Sequence, residues 1–335
     1  MIKRFLKWSL VLAGLCGAMG ACSTESAIQK ALGARATAPV FLGYKAVSPA
    51  EIDFQFSLPV EVSSLFFDPT LEVKSIIGGA TVQIHLNRPA LEGERITANI
   101  LVEDEGGNTL DVLIPFRARN DRLPSFTITE LRTEYSKPKV EFVEIKTKNP
   151  GNLGALRLFS ASVSMDTPIW EFPPVEVGGN EYIVIHLRSI EEGTVNETGT
   201  NLAASGGTEA SPTARDFWVP GAAKLLHKTG AVYFMDQDDR IVDGILLCED
   251  DTSWSKKEFM RSAAELLKSQ GAWTAAAGDI PGPQDAVASK GTTVTRSISR
   301  REALPDSNGK ADWYITANSK ASPGKPNNPE VYVPK

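Results

Sequence analysis

Three cysteines and three histidines in 335 residues leave this chain short of the side chains from which disulfide scaffolds and metal centres are built. No apolar run reaches the roughly 18 residues of a membrane-spanning helix. Also missing are Gly-x-Ser-x-Gly, a Gly-Lys-Ser/Thr phosphate loop and a dinucleotide-binding glycine fingerprint, so the familiar nucleophile-elbow, nucleotide and NAD(P) chemistries have no motif to stand on. Basic residues are in the minority, 35 against 41 acidic, for a net charge of −6. Charge alone therefore draws the chain to neither nucleic acid nor anionic lipid.

What is present begins at the N-terminus. Lys3, Arg4 and Lys7 precede an apolar core from Trp8 to Leu15, and small residues Gly17, Ala18, Gly20 and Ala21 lead into Cys22. That order is an export signal. The tetrapeptide Met19-Gly20-Ala21-Cys22 resembles the lipobox of bacterial lipoproteins, with Met19 where that family usually has Leu. The resemblance implies cleavage before Cys22 and acylation of its thiol, and two acyl chains suffice for stable anchoring. Cys16 is the weaker candidate because the larger Leu15 precedes it, and the alternative is an ordinary secretory peptide cut nearby. Loss of residues 1–21 removes three basic and no acidic residues, taking the net charge from −6 to −9. Cys248 is then the one remaining thiol, so an intramolecular disulfide is excluded; after Gly244-Ile245-Leu246-Leu247 it reads as a small buried hydrophobe.

Residues 22–38 are polar and small, a flexible tether. Alternation follows. Ile52, Phe54 and Phe56 oppose Glu51, Asp53 and Gln55, and Val82, Ile84 and Leu86 oppose Thr81, Gln83 and His85. Further β-type runs at 40–44, 71–76, 96–102 and 110–116, with turns at Gly78-Gly79, Gly93 and Gly106-Gly107-Asn108, predict a six-stranded antiparallel sandwich over 39–118. Residues 117–124 read as a hinge. A second series of strands is expected at 126–131, 139–146, 156–160, 169–172, 182–187, 231–235 and 241–247, interrupted by one helix with Ser255 and Glu258 at capping-box spacing, a stripe of Phe259, Ala263, Leu266 and Leu267, and Gly271 as the stop. Stretches 189–215 and 274–292 look irregular, and loops of such length are functional or disordered.

The fold class expected is thus all-β, two tandem immunoglobulin-like β-sandwiches, the second with an inserted α-helix and long loops. The phrases EIDFQFSLPVEV and ITANILVEDEGGNTLDVLIPF resemble bacterial immunoglobulin-like repeats. Over 124–329 the chain resembles a lamin tail domain, through ITELRTEYSKPKVEFVEIKTKNPGNLGALRLFS, the Gly178-Gly179 turn before Tyr182, AVYFMDQDDRIVDGILL, and a close with Asp312-Trp313 and Pro323 to Asn327. That resemblance implies a binding or architectural module and carries no catalytic residues. Glu144, with Val140 and Phe142 on one face and Val143 and Ile145 on the other, points to a bulge.

The search for chemistry ends without a centre. A zinc site would need His186, His227 and a carboxylate such as Asp216 or Glu197 to converge, and no spacing supports it. In MDQDDRIVDG, Asp236 and Asp238 take the first places of a calcium loop, but Arg240 stands at the third and no central glycine follows; a hairpin turn accounts for the same residues. Asp104, Glu105 and Asn108 likewise read as a turn. No metal and no cofactor are expected. Phe217 and Trp218, at the end of the long loop, read first as the start of a core strand, and the rival reading makes them exposed anchors for a partner. The sequence therefore predicts a lipid-anchored, non-enzymatic envelope protein, outer membrane favoured by Ser23 after the anchor. Its expected partners are the membrane, through acyl chains on Cys22, and envelope or host proteins or glycans, with no nucleic acid. The rival is an accessory subunit or metal-dependent hydrolase of the envelope.

Overall fold

The computed structural model describes residues 37–276 and 280–334. The leader, Cys22 and most of the tether lie outside these residues. Within them the chain is an all-β protein with two helices.

The first six strands are β1 (Phe41–Ser48), β2 (Glu51–Asp68), β3 (Val73–Ile77), β4 (Gly79–Leu86), β5 (Arg95–Asp104) and β6 (Thr109–Arg117). They form one antiparallel sheet of order β3-β4-β2-β5-β6, with β1 also on β2. The single sheet encloses a core because β2 is 18 residues long and changes partners along its length. Its first part pairs with β1 and β4, and from Val60 onward it pairs with β5. The register shift between Gln55 and Val60 spans Pro59, which has no N–H for a ladder bond. Pro59 thus falls where the strand changes partners, and the strand runs on to Asp68. Ile52, Phe54, Val82, Ile84, Ile96, Ile100, Ile114 and Phe116 fill the interior.

The segment 117–124, read from the sequence as a hinge, is tied to the second domain. Asn120 donates through Nδ2 to the carbonyls of Asn152 and Gly154, both at 2.8 Å, and its N–H donates to Gln237 Oε1 at 2.7 Å. Gln237 Nε2 returns a bond to the Ala118 carbonyl. Gly93 and Gly154 meet here so closely that a Cβ on Gly93 would lie 2.1 Å from the Gly154 carbonyl carbon. The linker's polar side chains satisfy main-chain groups of the second domain, which composition alone does not reveal.

The second domain contains β7 (Phe126–Arg132), β8 (Phe142–Thr147), β9 (Gly151–Asn152), β10 (Arg157–Ser160), β11 (Trp170–Glu171), β12 (Glu176–Val177), β13 (Tyr182–His186), β14 (Arg215–Trp218), β15 (Gly230–Met235), β16 (Ile241–Cys248), β17 (Val287–Ala288), β18 (Ile298–Arg300) and β19 (Trp313–Ile315). A six-stranded sheet β14-β13-β8-β7-β18-β19 and a five-stranded sheet β11-β10-β15-β16-β17 share one core that includes Ile145, Ile185, Phe172, Phe234, Leu247 and Trp273. β9 and β12 form a separate pair.

Two helices stand where one was expected. α1 (Asp251–Ser255) carries a capping box between Asp250 and Ser253, and α2 (Phe259–Ser269) starts after Glu258 with no side-chain cap. The cap sits earlier than the Ser255/Glu258 spacing implied, because Asp250 already offers its carboxylate to the Ser253 N–H at 2.7 Å. α2 buries Met260, Ala263, Ala264 and Leu267 against β15 and β16. Gly244 permits this approach, since a Cβ there would meet Leu267 Cδ2 at 3.0 Å. Cover on both faces explains why β15 is buried at every position. Gly271, at φ +74°, ends the helix as expected.

Candidate functional site

Phe217 and Trp218 are not exposed anchors. Both lie in β14, which runs parallel to β13, and they are 0% and 4% exposed. Phe217 faces the main core, with its ring 5.1 Å from Phe172. Trp218 faces the other side, under the long loop, where Gly207 sits so close that an added Cβ would be 2.4 Å from the indole. The 189–215 stretch is a cover for the outer face of the six-stranded sheet. It encloses a small second core of Phe142, Tyr182, Val184 and Ala214. Its ties are polar: Glu197 accepts from the N–H groups of Ala204, Ser205 and Asp216, and Asn196 Oδ1 accepts from Trp218 N–H.

Three of the zinc candidates do meet, as a hydrogen-bond network. His186 Nε2 lies 2.7 Å from Asp216 Oδ1, Asp216 Oδ2 accepts from Ser211 N–H at 2.7 Å, and Glu197 receives the Asp216 N–H. His186 and Asp216 are both wholly buried. His227 has no place in this network and stands near Lys224 and Lys257; burial, then these lysines, holds its imidazole below the usual value. No group of three or more His, Cys, Asp or Glu among the described residues is arranged to hold a metal. In the acidic run, Asp236 Oδ1 accepts from the N–H groups of Asp238 and Arg240, a turn with Asp239 at φ +58°. Asp104 closes its own turn by accepting from Gly106 and Asn108 N–H. Cys248 is buried, and burial raises its thiol to about 11, which suppresses the nucleophilic thiolate.

A carboxylate pair that sequence reasoning missed lies under the closing phrase. Glu130 and Glu144 face each other across β7 and β8, beside a register shift at Thr129, and both are fully buried. The bulge expected at Glu144 is thus on the opposite strand. Glu144 accepts from Thr129 Oγ1 at 2.5 Å and Gly324 N–H at 2.6 Å. Glu130 accepts from the Ser297 and Ser299 hydroxyls and from Ser322 N–H. Burial raises both carboxyls above their ordinary range, and the charge of Glu130 pushes Glu144 further. Asn327 completes the latch by donating to the Thr129 and Arg300 carbonyls at 2.8 and 2.9 Å. Every carboxylate oxygen here is directed at the protein's own chain, so the cluster acts as a fastener for residues 322–327.

The remaining candidate is open to solvent and lies at the domain junction. It is a groove of about 580 Å3, the size of a small-molecule site. β1, β5, β6 and the linker supply Tyr44, Lys45, Arg95, Phe116, Arg117 and Arg119, while the second domain supplies Arg157, Glu171, Gln237 and Asp238. Arg119 grips Asp238 with two bonds, at 2.6 and 2.9 Å, and thereby holds that carboxyl below its usual range. Arg117 pairs with Glu171 at 2.5 Å, whereas Arg95 reaches the same carboxylate at 3.7 Å. Tyr44 packs on Phe116 with ring centroids 5.7 Å apart. These cations have further carboxylates at hand: Arg119 also meets Asp121, Arg157 meets Asp239, and Lys45 stands opposite Asp53. No single motif marks this site, because its residues come from six separated segments.

A family model named TP_1001_2nd and described as a protein second domain matches residues 124–315. The chain is also similar to an uncharacterised protein of Treponema pallidum (strain Nichols), at 24% identity over 247 residues, covering 70% of this chain and 61% of that protein. It therefore spans 61% of that relative's length. Among solved structures there is a likeness to the N-terminal part of the bacterial S-layer protein SbsC, at 14% identity, covering 64% of this chain and 45% of that one, with a TM-score of 0.24. That score is too low to indicate a common fold.

Proposed function

The chain belongs to the TP_1001_2nd second-domain family, and we propose that it is a lipid-anchored cell-envelope protein that works as a non-enzymatic binding or structural module. The observation that carries this reading is the contrast between its polar sites. The titratable clusters around Glu144 and Asp216 are sealed inside and spend their bonds on the protein's own backbone. The groove at the domain junction is the solvent-open site furnished by both domains. Buried networks that fix loops are structural, while an open recess between domains is where ligands are usually received.

The anchor in this proposal is Cys22, on the strength of the Met19-Gly20-Ala21-Cys22 sequence. The acyl chains hold the protein to the membrane, the outer membrane being favoured, and the tether through residue 38 lets the acidic domains stand in water. Palmitate labelling of growing cells, followed by membrane fractionation, tests it. Wild type carries label and sediments with membranes; Cys22→Ala carries none and is released. Unlabelled wild type defeats the anchoring.

A further inference from the structure

We propose that residues 317–330 are a proton-governed flap, closed over the outer face of the six-stranded sheet while Glu130 and Glu144 hold protons and swung out once the pair ionises. The segment is a loop whose ends meet, since the Ala317 N–H donates to the Glu330 carbonyl at 2.8 Å and Thr316 bridges Val331. That closure is a ready hinge. None of the loop's residues belongs to a hydrophobic cluster, so little apolar burial holds it down. Acceptors on the sheet hold it instead: Glu130 takes the Ser322 N–H at 3.0 Å, Glu144 takes that of Gly324 at 2.6 Å, and Glu302 takes that of Asn327 at 2.8 Å. Docking is thereby linked to the state of these carboxyls.

Glu130 and Glu144 sit opposite each other on β7 and β8, and the charged groups around them are engaged elsewhere. On β7, Arg132 is held by Glu209 at 2.8 Å; on β8, Lys146 is held by Glu302 at 2.9 Å; on β18, Arg300 turns to Asp243. On the flap, Lys320 pairs with Glu330 and Lys325 is exposed. From β13 and β19, Tyr182 donates to Glu302 and Tyr314 to the Asn328 carbonyl, and burial raises both phenols, that of Tyr314 to about 12. Beyond Val184 in the row of Glu144 lies Asp216, tied to His186. Against the pull of burial, bonds from Tyr182, Asn327 and Lys146 hold Glu302 below its ordinary range. The facing pair is left to titrate above the ordinary carboxylate range, raised there by burial. Under the closed flap the pair holds protons, and under the open flap it meets water and releases them. Closure is therefore complete below the ordinary carboxylate range and is lost as pH rises through the raised values.

Opening acts on a defined place. A seam of about 270 Å3 separates the flap, at Ser319, Ala321, Pro323 and Lys325, from the lip of the 189–215 loop at Thr208 to Pro212, with Arg132 beneath. The two covers touch at Gly324, where a Cβ would lie 2.6 Å from that of Ser211. Swinging the flap out joins the seam to the Glu130 and Glu144 side chains and turns a slot into a cleft across the sheet.

The test is hydrogen exchange on the full mature protein in detergent, read as protection factors for 317–330 and for β8 and β13 between pH 4 and pH 9. Flap protection falls about tenfold per pH unit for each proton released, and at the upper end the flap exchanges far faster than the two strands, which open only with the domain. The Glu130→Gln/Glu144→Gln double variant keeps a flap whose protection no longer depends on pH. Asn327→Ala retains both carboxyls but loses the donors to the Thr129 and Arg300 carbonyls. It moves the fall to lower pH at unchanged slope, and it decides the matter should the double variant not fold. Flap protection that is constant with pH, or that equals that of β8 and β13 throughout, overturns the proposal. So does an Asn327→Ala profile that coincides with wild type.

Discussion

The imidazole of His186 lies flat on the indole of Trp218, with ring centroids 3.8 Å apart and planes 11° from parallel. The two residues are direct partners across the parallel β13 and β14 pair. The stack seals the His186 and Asp216 bond from water and gives the 189–215 loop a floor. Trp218→Ala is expected to destabilise the protein by about 3–5 kcal/mol, the range for removing a large buried aromatic. Urea denaturation measures the loss, and the fraction that stays folded retains any ligand binding at the groove. A stable Trp218→Ala protein with specific loss of partner binding would restore the exposed-anchor view.

The buried carboxylates make stability depend on pH in a defined direction. Burial raises Glu144 and Glu130 above their unfolded values, so the native state holds protons that the unfolded state has released. Stability is therefore fullest below the ordinary carboxylate range and declines as pH rises through the raised native values. Glu144→Gln removes the proton that must be held. At pH 8 this variant is expected to exceed wild type in stability, and the advantage shrinks toward pH 4. Urea midpoints at the two pH values read it directly.

Gly324 belongs to the closing segment that fastens on this pair. Its φ is +77°, and a Cβ would lie 2.6 Å from that of Ser211 and 2.8 Å from that of Ala214. Gly324→Ala is expected to cost about 1–3 kcal/mol from overpacking alone. Faster amide exchange at Ser322 and Gly324 should accompany it, since their N–H groups are the donors to Glu130 and Glu144.

At the linker, Asn120→Ala strips both donors to Asn152 and Gly154. Two buried carbonyls lose a partner each, at about 1–3 kcal/mol per unsatisfied group. Calorimetry is expected to show one transition for wild type and two for Asn120→Ala, as the domains uncouple.

Much of the fold was legible because its strands obey simple alternation. The six strands of the first domain and Gly271 as helix stop follow from burial on one face and from glycine's freedom at positive φ. β14 was legible in part: Phe217 and Trp218 do begin a core strand, whereas Arg215 and Asp216 are buried charges whose partners, Glu181, the Glu197 carbonyl and His186, are distant in sequence. Of the residues weighed for a zinc site, His186, Asp216 and Glu197 share a hydrogen-bond network while His227 stands apart, a proximity that spacing alone does not show. The groove escaped altogether, as Lys45, Arg95, Arg117, Arg119 and Arg157 line one recess only once the two domains are docked.

The central claim is that Cys22 is the acylated first residue of the mature protein. Mass spectrometry of the N-terminal peptide, taken from protein purified out of native membranes, tests it most directly. The account predicts a peptide starting at Cys22 and carrying the mass of a diacylglyceryl group. A peptide that retains residues 1–21, or one that starts at Cys22 with a free thiol, would contradict it.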